Sequence, residues 1–279
     1  MKRKTILAIL MVLFVALFLV SGFFLGRYYL KSLRQSSQLN ELADLVAQAQ
    51  TETVPVENIP QATDLPEEVS AYTTIIDPDT GTEMVILKEY APIYKRNTDM
   101  VGWIKIKGTG INYPVMQTPD SPNFYLYQSF QKQWAEHGSI YVQENCDVFT
   151  PSDNLIIYGH RMKDGLMFYD LQEYKDFEFF KKHPIISFDT ITEHRDYEIL
   201  SVFLTTASEG AGFAYHEFVD AATDTEFKQF IATCKNLSLY NTDVTASYGD
   251  KLITLSTCEY SQTNGRLVVV AKQVVSADS

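Results

Sequence analysis

The longest apolar run of the chain lies near its N-terminus. Residues 6–25 are all apolar except for one serine and one glycine, and a run of that length can span a bilayer as a helix. A Lys-Arg-Lys segment precedes the run and favours a cytoplasmic N-terminus. The run is longer than the apolar region of a signal peptide and no A-x-A site follows it, although a cleaved signal peptide stays open as the alternative. We therefore expect a cytoplasmic tip (1–5), a single transmembrane signal anchor (6–26) and the rest of the chain outside the cytoplasm.

The segment that follows has the pattern of a stalk. Residues 38–50 carry leucine and valine at roughly helical spacing and predict a short amphipathic helix. Residues 51–70 contain three prolines, several acids and few large apolar side chains, which is typical of a linker. We expect residues 27–83 to form an extracellular stalk that holds a folded domain away from the membrane.

The pattern of a folded domain extends over residues 84–279. Short β-branched and aromatic runs, many separated by turn residues, predict a mainly β fold with helical inserts, either a barrel or a sandwich. Helical patterns occur at 86–97, where Pro92 predicts a kink or the true start, at 167–182, and at 225–236 with Asp224 as the expected N-cap. The eight predicted strands lie at residues 101–106, 111–116, 139–142, 155–158, 185–188, 197–204, 251–257 and 266–275.

The charge of the chain excludes one class of partner. Residues 35–279 carry 17 basic against 35 acidic side chains, so the part beyond the anchor is strongly acidic. A nucleic-acid-binding surface needs clustered positive charge, and docking onto anionic lipid needs it too. We expect no nucleic-acid partner, and membrane attachment only through the N-terminal helix.

The three cysteines do not form a recognisable framework. They are widely and irregularly spaced, without a CxxC or CxxxC pair, so the sequence predicts neither a set of disulfides nor a metal site. Cys146 follows a turn-like segment and Cys234 lies in a helical pattern, and both are expected to be inert structural residues. Cys258 has the surroundings of a reactive thiol. We expect no metal and no cofactor.

Cys258 ends the first strand of a predicted hairpin at residues 251–272. Two β-branched apolar runs flank a polar loop that finishes with Asn-Gly, which is a hairpin signature. Alternation puts Ser256 and Cys258 on one face. Arg266 opens the return strand, so direct pairing brings a guanidinium close to the thiol, and a nearby cation favours the nucleophilic thiolate. The alternative is a core cysteine beside a surface arginine.

His160 is the candidate for proton transfer. It follows the apolar run 155–158 and Gly159, so it is expected at the C-terminal edge of a strand, as Cys258 is. Glycine lets the backbone turn there. No histidine or carboxylate stands at metal-ligand spacing from it, which disfavours zinc, and a histidine hydrogen-bonded at a barrel rim is the alternative. The other histidines have polar contexts typical of the surface: His137, His183, His194 and His216.

These residues together match a family pattern. Residues 254–258 read TLSTC, Arg266 follows eight positions later, and Tyr158-Gly-His160 lies upstream. The three segments resemble the TLxTC signature, the essential arginine and the catalytic-histidine segment of the sortases, the cysteine transpeptidases on the surface of Gram-positive bacteria. The resemblance covers roughly residues 84–275, and Pro92 departs from it within the N-terminal helix of the family. Shorter segments, and the long helical insert before the last strands, resemble class B sortases in particular: 101–104 (VGWI), 111–115 (INYPV), 125–126 (YL) and 167–168 (MF).

The resemblance implies an eight-stranded sortase-type β-barrel, preceded by an N-terminal helix, with Cys258, His160 and Arg266 at one end of a groove. It implies that the thiol attacks a threonine carbonyl within a C-terminal sorting signal and forms a thioacyl-enzyme. An amine of a peptidoglycan precursor or of a pilin then resolves this intermediate. The resemblance also implies candidates for substrate binding: Ser256, Glu259, Asn123 and Leu126.

Two other functions are weighed against this one. A Cys-His cell-wall hydrolase would use water in place of the amine, but such enzymes usually place the cysteine before the histidine and at a helix N-terminus. Here the histidine comes first and the cysteine ends a strand. A membrane-tethered β-module that binds a partner or haem would need no nucleophile, and its function would survive the loss of Cys258.

Overall fold

The computed structural model describes residues 2–51, 71–208 and 210–274, without the side chains of residues 2–4. Nearly all of the predicted linker at 51–70, and the end of the last predicted strand at Val275, lie outside the described residues. Contacts divide the chain into two compact units, Met1–Glu41 and Leu42–Ser279. Each unit is described by itself below.

The first unit is helical. Helix α1 (Lys2–Thr51) begins in it and continues into the second unit. The sequence predicted two separate segments here, but the helix is unbroken because residues 27–37 contain no proline and no glycine. Its large apolar side chains between residues 6 and 25 are exposed. Among the described residues, α1 is the helix long and apolar enough to cross a membrane.

The second unit starts with the end of α1 and a small hairpin. Strands β1 (Tyr72–Ile76) and β2 (Glu83–Leu87) pair antiparallel. They fall mostly within the segment that the sequence assigned to the stalk, yet Ile75 and Leu87 are buried in one apolar cluster with Leu42 of α1. The compact unit therefore includes residues well before position 84.

The predicted helix at 86–97 is much shorter in the structure. Residues 86 and 87 belong to β2, a 3-10 turn follows at Lys88–Tyr90, and helix α2 covers only Ala91–Tyr94. Pro92 lies in the first turn of α2, where its missing N–H has no intrahelical partner to lose. The expectation that Pro92 marks the real start of the helix is confirmed.

All eight predicted strands are present, each within two residues of its expected bounds. Among the described residues they close into the eight-stranded barrel that the resemblance implied, in the order β10-β8-β7-β3-β4-β5-β6-β9. The parallel pairs are β4 with β5 and β6 with β9. The strands are β3 (Met100–Lys105), β4 (Asn112–Met116), β5 (Ile140–Val142), β6 (Asn154–Tyr158), β7 (Ile185–Thr190), β8 (Asp196–Thr206), β9 (Leu252–Cys258) and β10 (Gly265–Gln273).

The helical inserts differ in detail from the predicted ones. The insert predicted at 167–182 is a 3-10 segment, Tyr169–Lys175, followed by helix α3 (Phe177–Lys182), because Asp176 is extended and its side chain caps α3. Helix α4 (Asp224–Leu237) is present, but the expected N-cap at Asp224 is wrong. Thr223 is the cap, and its hydroxyl accepts the Glu226 N–H.

Candidate active site

Strand pairing brings the first two candidate residues together. Strands β6 and β9 are parallel neighbours, and the register pairs Tyr158 with Ser256. The pairing continues beyond the end of β6, because the Gly159 N–H donates to the Ser256 carbonyl at 3.2 Å. His160 and Cys258 each stand two residues beyond that pair. Cys258 ends β9 and His160 follows the end of β6, and neighbouring strands lie about 4.8 Å apart.

Arg266 reaches the same rim from the other side of β9. Strands β9 and β10 are antiparallel, and Arg266 lies directly opposite Cys258 in their register, as the hairpin predicted. Residues opposed in this way have Cβ atoms about 4.5–5.5 Å apart. One guanidinium nitrogen, Nη1, donates to the carbonyls of Asn264 (3.2 Å) and Gly265 (3.0 Å). The turn between the strands therefore holds the head of Arg266.

A single cavity of about 370 Å³ joins the three side chains. It opens at the end of the barrel where β6 and β9 finish and β10 begins. Its lining combines the three candidates with aromatic, amide and carboxylate side chains. The lining residues are Asn123, Leu126, Tyr141, Gln143, Glu144, Tyr158, Gly159, His160, His216, Ser256, Thr257, Cys258 and Arg266.

The hydrogen bond of His160 defines its tautomer. Its Nε2 lies 2.8 Å from the carbonyl oxygen of Leu126, and a carbonyl only accepts. Nε2 therefore carries the proton, and Nδ1 is the nitrogen left for proton exchange when the ring is neutral. The ring of Tyr127 lies 5.5 Å from the imidazole and adds to its enclosure.

Burial lowers the pKa of His160. The loss of hydration is the largest cause, and the charges of His137 and Arg266 add to it. The Leu126 carbonyl and Glu136 act in the opposite direction, without reversing the shift. Since the ordinary value is 6.5, the imidazole is mostly neutral at pH 7.

His137 is the histidine whose environment the sequence analysis misjudged. It was expected at the surface, but it is buried, and its Nε2 lies 2.6 Å from Asp164 Oδ2. This pair ties the segment before β5 to the loop that follows His160. Its polar sequence neighbours indicated a surface loop, while the partner that allows burial is 27 residues away.

The three thiols differ sharply in accessibility. Cys146 and Cys234 are buried, whereas Cys258 is partly exposed. Burial raises the pKa of Cys146 to about 11 and raises that of Cys234 as well. A neutral buried thiol is a poor nucleophile, so Cys258 is the accessible thiol of the three.

Three of the four predicted substrate-binding residues line the cavity. Ser256 is almost fully buried, with its hydroxyl 2.6 Å from that of Tyr215. Asn123 is exposed in a left-handed conformation, and Leu126 supplies the carbonyl that orients His160. Glu259 is not among the lining residues; it is buried and paired with a lysine. All four assignments stay predictions.

The cavity also contains residues that the sequence analysis did not select. The Tyr158 hydroxyl donates to Gln143 Oε1 at 2.5 Å, and Gln143 Nε2 donates to the His216 carbonyl at 3.0 Å. This chain of contacts holds the segment with His216 against the cavity, where Glu144 contributes a carboxylate. These residues come from separate segments, so no local pattern in the sequence marks them. No group of three metal-ligating side chains was found among the residues described.

Comparisons with known proteins show which family the chain belongs to. A family model described as the sortase domain matches residues 104–274. Sortase B of Staphylococcus aureus is 36% identical over 186 residues, covering 66% of this chain and 74% of the relative. Sortase B of Listeria monocytogenes is 36% identical over 198 residues, covering 70% and 78%. Among solved structures, a Staphylococcus aureus sortase B–substrate complex matches with a TM-score of 0.69 at 28% identity, covering 88% of this chain and 98% of that one.

Proposed function

The chain belongs to the sortase family, among the class B enzymes, and is a cysteine transpeptidase; we propose that Cys258, His160 and Arg266 carry out its reaction. The family acts on proteins that carry a sorting signal and transfers them to an amine acceptor. The observation that supports the assignment is the strand register. In support of the proposal, Arg266 is paired with Cys258, His160 follows the end of the neighbouring strand β6, and all three residues line one cavity.

In the first half-reaction, Cys258 is the nucleophile. Its sulfur attacks the carbonyl carbon of the threonine in the sorting signal, and the thiol proton passes to Nδ1 of His160. The tetrahedral intermediate collapses when the C–N bond breaks, and the His160 imidazolium protonates the departing amine. A thioacyl-enzyme remains. The route divides one difficult amide exchange into two easier steps.

In the second half-reaction, an acceptor amine replaces the departed one. Nδ1 of His160 takes a proton from the amine as its nitrogen attacks the thioester. The thiolate leaves, and the imidazolium returns the proton to Cys258. The same nitrogen thus serves both halves, which requires a ring that is neutral at rest and close to the sulfur. The lowered pKa of His160 satisfies the first requirement.

Arg266 acts on the charge that develops on the carbonyl oxygen. A guanidinium fixed by two backbone carbonyls keeps its orientation as the oxyanion forms, and its remaining N–H groups donate to that oxygen. Preorganised donors of this kind contribute because they need no rearrangement during the reaction.

The apolar N-terminal helix is proposed to be a single-pass anchor, with the catalytic domain outside the cell. Tethering enzyme and substrate to one membrane raises their effective concentration. The acceptor is proposed to be an amine of a peptidoglycan precursor or a pilin lysine.

The test uses the full-length chain in detergent and a panel of fluorogenic sorting peptides, with and without an amine acceptor. We expect cleavage that requires Cys258, a thioacyl-enzyme visible by intact mass, and a hydroxamate product when hydroxylamine is added. Cys258→Ala should abolish all three at an unchanged melting temperature. Cys146→Ala is the matched control and should retain them.

The same assay separates transfer from hydrolysis. A transpeptidase joins the acyl group to the amine, and the proportion of transfer product rises with amine concentration. Release of free acid alone, at every amine concentration, would mean the cell-wall hydrolase, which the family comparisons do not favour. Cleavage that persists in Cys258→Ala would overturn the assignment of the nucleophile.

A further inference from the structure

We propose that Glu259 is a positioning residue: its buried carboxylate, ion-paired with Lys175, fixes the turn that sets Arg266 opposite Cys258. This inference rests on the proposed roles of those two residues. It differs from the sequence-based expectation, in which Glu259 touches the substrate, because the carboxylate has its partners elsewhere.

The Glu259 carboxylate accepts hydrogen bonds from within and outside the turn between β9 and β10. Its Oε1 accepts from Lys175 Nζ at 2.6 Å, and its Oε2 accepts from the backbone N–H of Ser261 at 2.8 Å and from the Ser261 hydroxyl. Only 4% of the Glu259 side chain is exposed. A buried charge of this kind is tolerated when it is paired and hydrogen-bonded, and here both conditions are met.

The backbones at the two ends of the turn are in close contact. The Glu259 N–H donates to the Gly265 carbonyl at 2.9 Å. A Cβ atom at Gly265 would lie 2.4 Å from the Glu259 carbonyl oxygen, so the two backbones approach as closely as glycine permits. Any change in the path of residues 259–265 therefore moves the start of β10.

Arg266 depends directly on this path. The two carbonyls that receive its Nη1 belong to Asn264, the last residue of the turn, and to Gly265, the first residue of β10. A shift of the turn moves both acceptors, and the guanidinium moves with them. The carboxylate of Glu259 thus acts on the oxyanion donor through the backbone, without contact with substrate.

The partner of Glu259 lies on a segment that also holds the nucleophile. Gln172 Nε2 donates to the Cys258 carbonyl at 3.3 Å. Gln172 and Lys175 are three residues apart in the 3-10 segment Tyr169–Lys175, where side chains at this spacing project from the same side. The segment is itself anchored, because the buried Tyr174 donates its hydroxyl to the His183 carbonyl at 2.8 Å.

The charge on Glu259 persists throughout the working range of pH. Burial alone would favour the neutral acid, but the bonds from Lys175 and Ser261 outweigh it and hold the pKa at about 2. The ion pair is therefore complete at neutral pH.

The experiment measures kcat and KM for a sorting peptide in Glu259→Gln and Lys175→Met. A positioning role predicts that kcat falls about 10- to 100-fold, as expected for a displacement of catalytic groups by up to 1 Å, while KM stays within about twofold. Lys175→Arg keeps the pair and should retain most of the activity. The double variant should be no slower than the slower single variant, because both changes break one interaction.

Lys181→Met is the matched control, since Lys181 pairs with Glu178 on the exposed face of α3. It should leave kcat unchanged.

A KM raised several-fold at constant kcat in Glu259→Gln would mean that Glu259 contacts substrate, and wild-type kcat in both variants would mean that the turn does not need the pair. Either result overturns the inference. Since Lys175 is partly exposed, its variants test the pair even if Glu259→Gln fails to fold. Failure of the proposed function is distinguishable, because it would appear in the wild-type enzyme as the absence of a thioacyl-enzyme at Cys258.

Discussion

Gly159, the residue before the catalytic-histidine candidate, has no room for a side chain. A Cβ at this position would lie 2.5 Å from Cδ1 of Ile140 and 2.6 Å from Cδ2 of Phe168. Both neighbours are buried, with exposures of 1% and 0%. The aliphatic tip of Ile140 can rotate, but the Phe168 ring is enclosed. Gly159→Ala therefore forces a movement that the core resists.

The size of the effect follows from these distances. Carbon atoms pack at about 3.5–4.0 Å, so the neighbours must yield by about 1 Å. Overpacking of this kind costs about 1–3 kcal/mol, and each kcal/mol lowers the melting temperature of a domain of this size by about 2–4 °C. The Phe168 N–H donates to the His160 carbonyl at 2.9 Å, so a displaced Phe168 displaces His160. A misplacement near 1 Å lowers kcat by about 100-fold.

The assay pairs thermal unfolding by circular dichroism with kcat on a cleaved sorting peptide. Ile140→Val removes the Cδ1 atom that makes the closest contact, so Gly159→Ala/Ile140→Val should recover part of both losses. Ile140→Val alone is the control and should cost about 0.5–1.5 kcal/mol of stability with little effect on kcat. A Gly159→Ala protein that loses stability but keeps the wild-type kcat would refute the idea that this glycine sets the position of His160.

Three further results are expected. Arg266→Gln should lower the steady-state kcat by about 10²- to 10³-fold, because it removes an oxyanion donor. Iodoacetamide should still alkylate Cys258 in this variant. The native wild-type protein should react with one equivalent of iodoacetamide, and peptide mass should locate the label on Cys258. Cys146 and Cys234 should react only in denaturant, and labelling of either in the native protein would contradict their burial. The pKa of Glu259 is lowered from 4.5 to about 2, so on acidification the unfolded chain binds the proton first. The stability that this carboxylate contributes is complete above pH 4.5 and is lost towards pH 2. The melting-temperature advantage of wild type over Glu259→Gln should shrink through this window, and an advantage independent of pH would contradict the ion pair.

Whereas the closed barrel followed from the family resemblance, the strands were predictable because they carry their own signal. Each is a short β-branched or aromatic run bounded by turn residues, and alternation on β9 placed Ser256 and Cys258 together before any pairing was known. The hairpin signature predicted that direct pairing of the last two strands brings Arg266 close to Cys258, and the register confirms that pairing. Local pattern and tertiary structure agree there, because the pairing partners are neighbours in the chain.

The differences arise where distant partners decide the outcome. Strand β1 was assigned to the stalk because the pattern of a folded domain was taken to begin at Met84; in the structure, Ile75 is its buried residue. The surroundings of His137 depend on Asp164, and those of Glu259 on Lys175, 84 residues away. Thr223 and Asp224 are both favoured N-cap residue types, and the extended backbone at Thr223 makes it the cap. No window of the sequence contains this information.

The parallel pairing of β6 with β9 brings together two residues that are far apart in the chain. Residues 161–251 connect His160 to the start of β9 and contain strands β7 and β8. The spacing of sulfur and imidazole is set by the pairing of β6 with β9 and not by the length of the loops in this stretch. The loops in this stretch can become longer or shorter and change what the enzyme recognises, while the reacting atoms stay in place. Deletion of a single residue inside β9 has the opposite effect. Every side chain beyond the deletion moves to the other face of the strand, so the thiol points away from the cavity, to the face on which Leu255 packs.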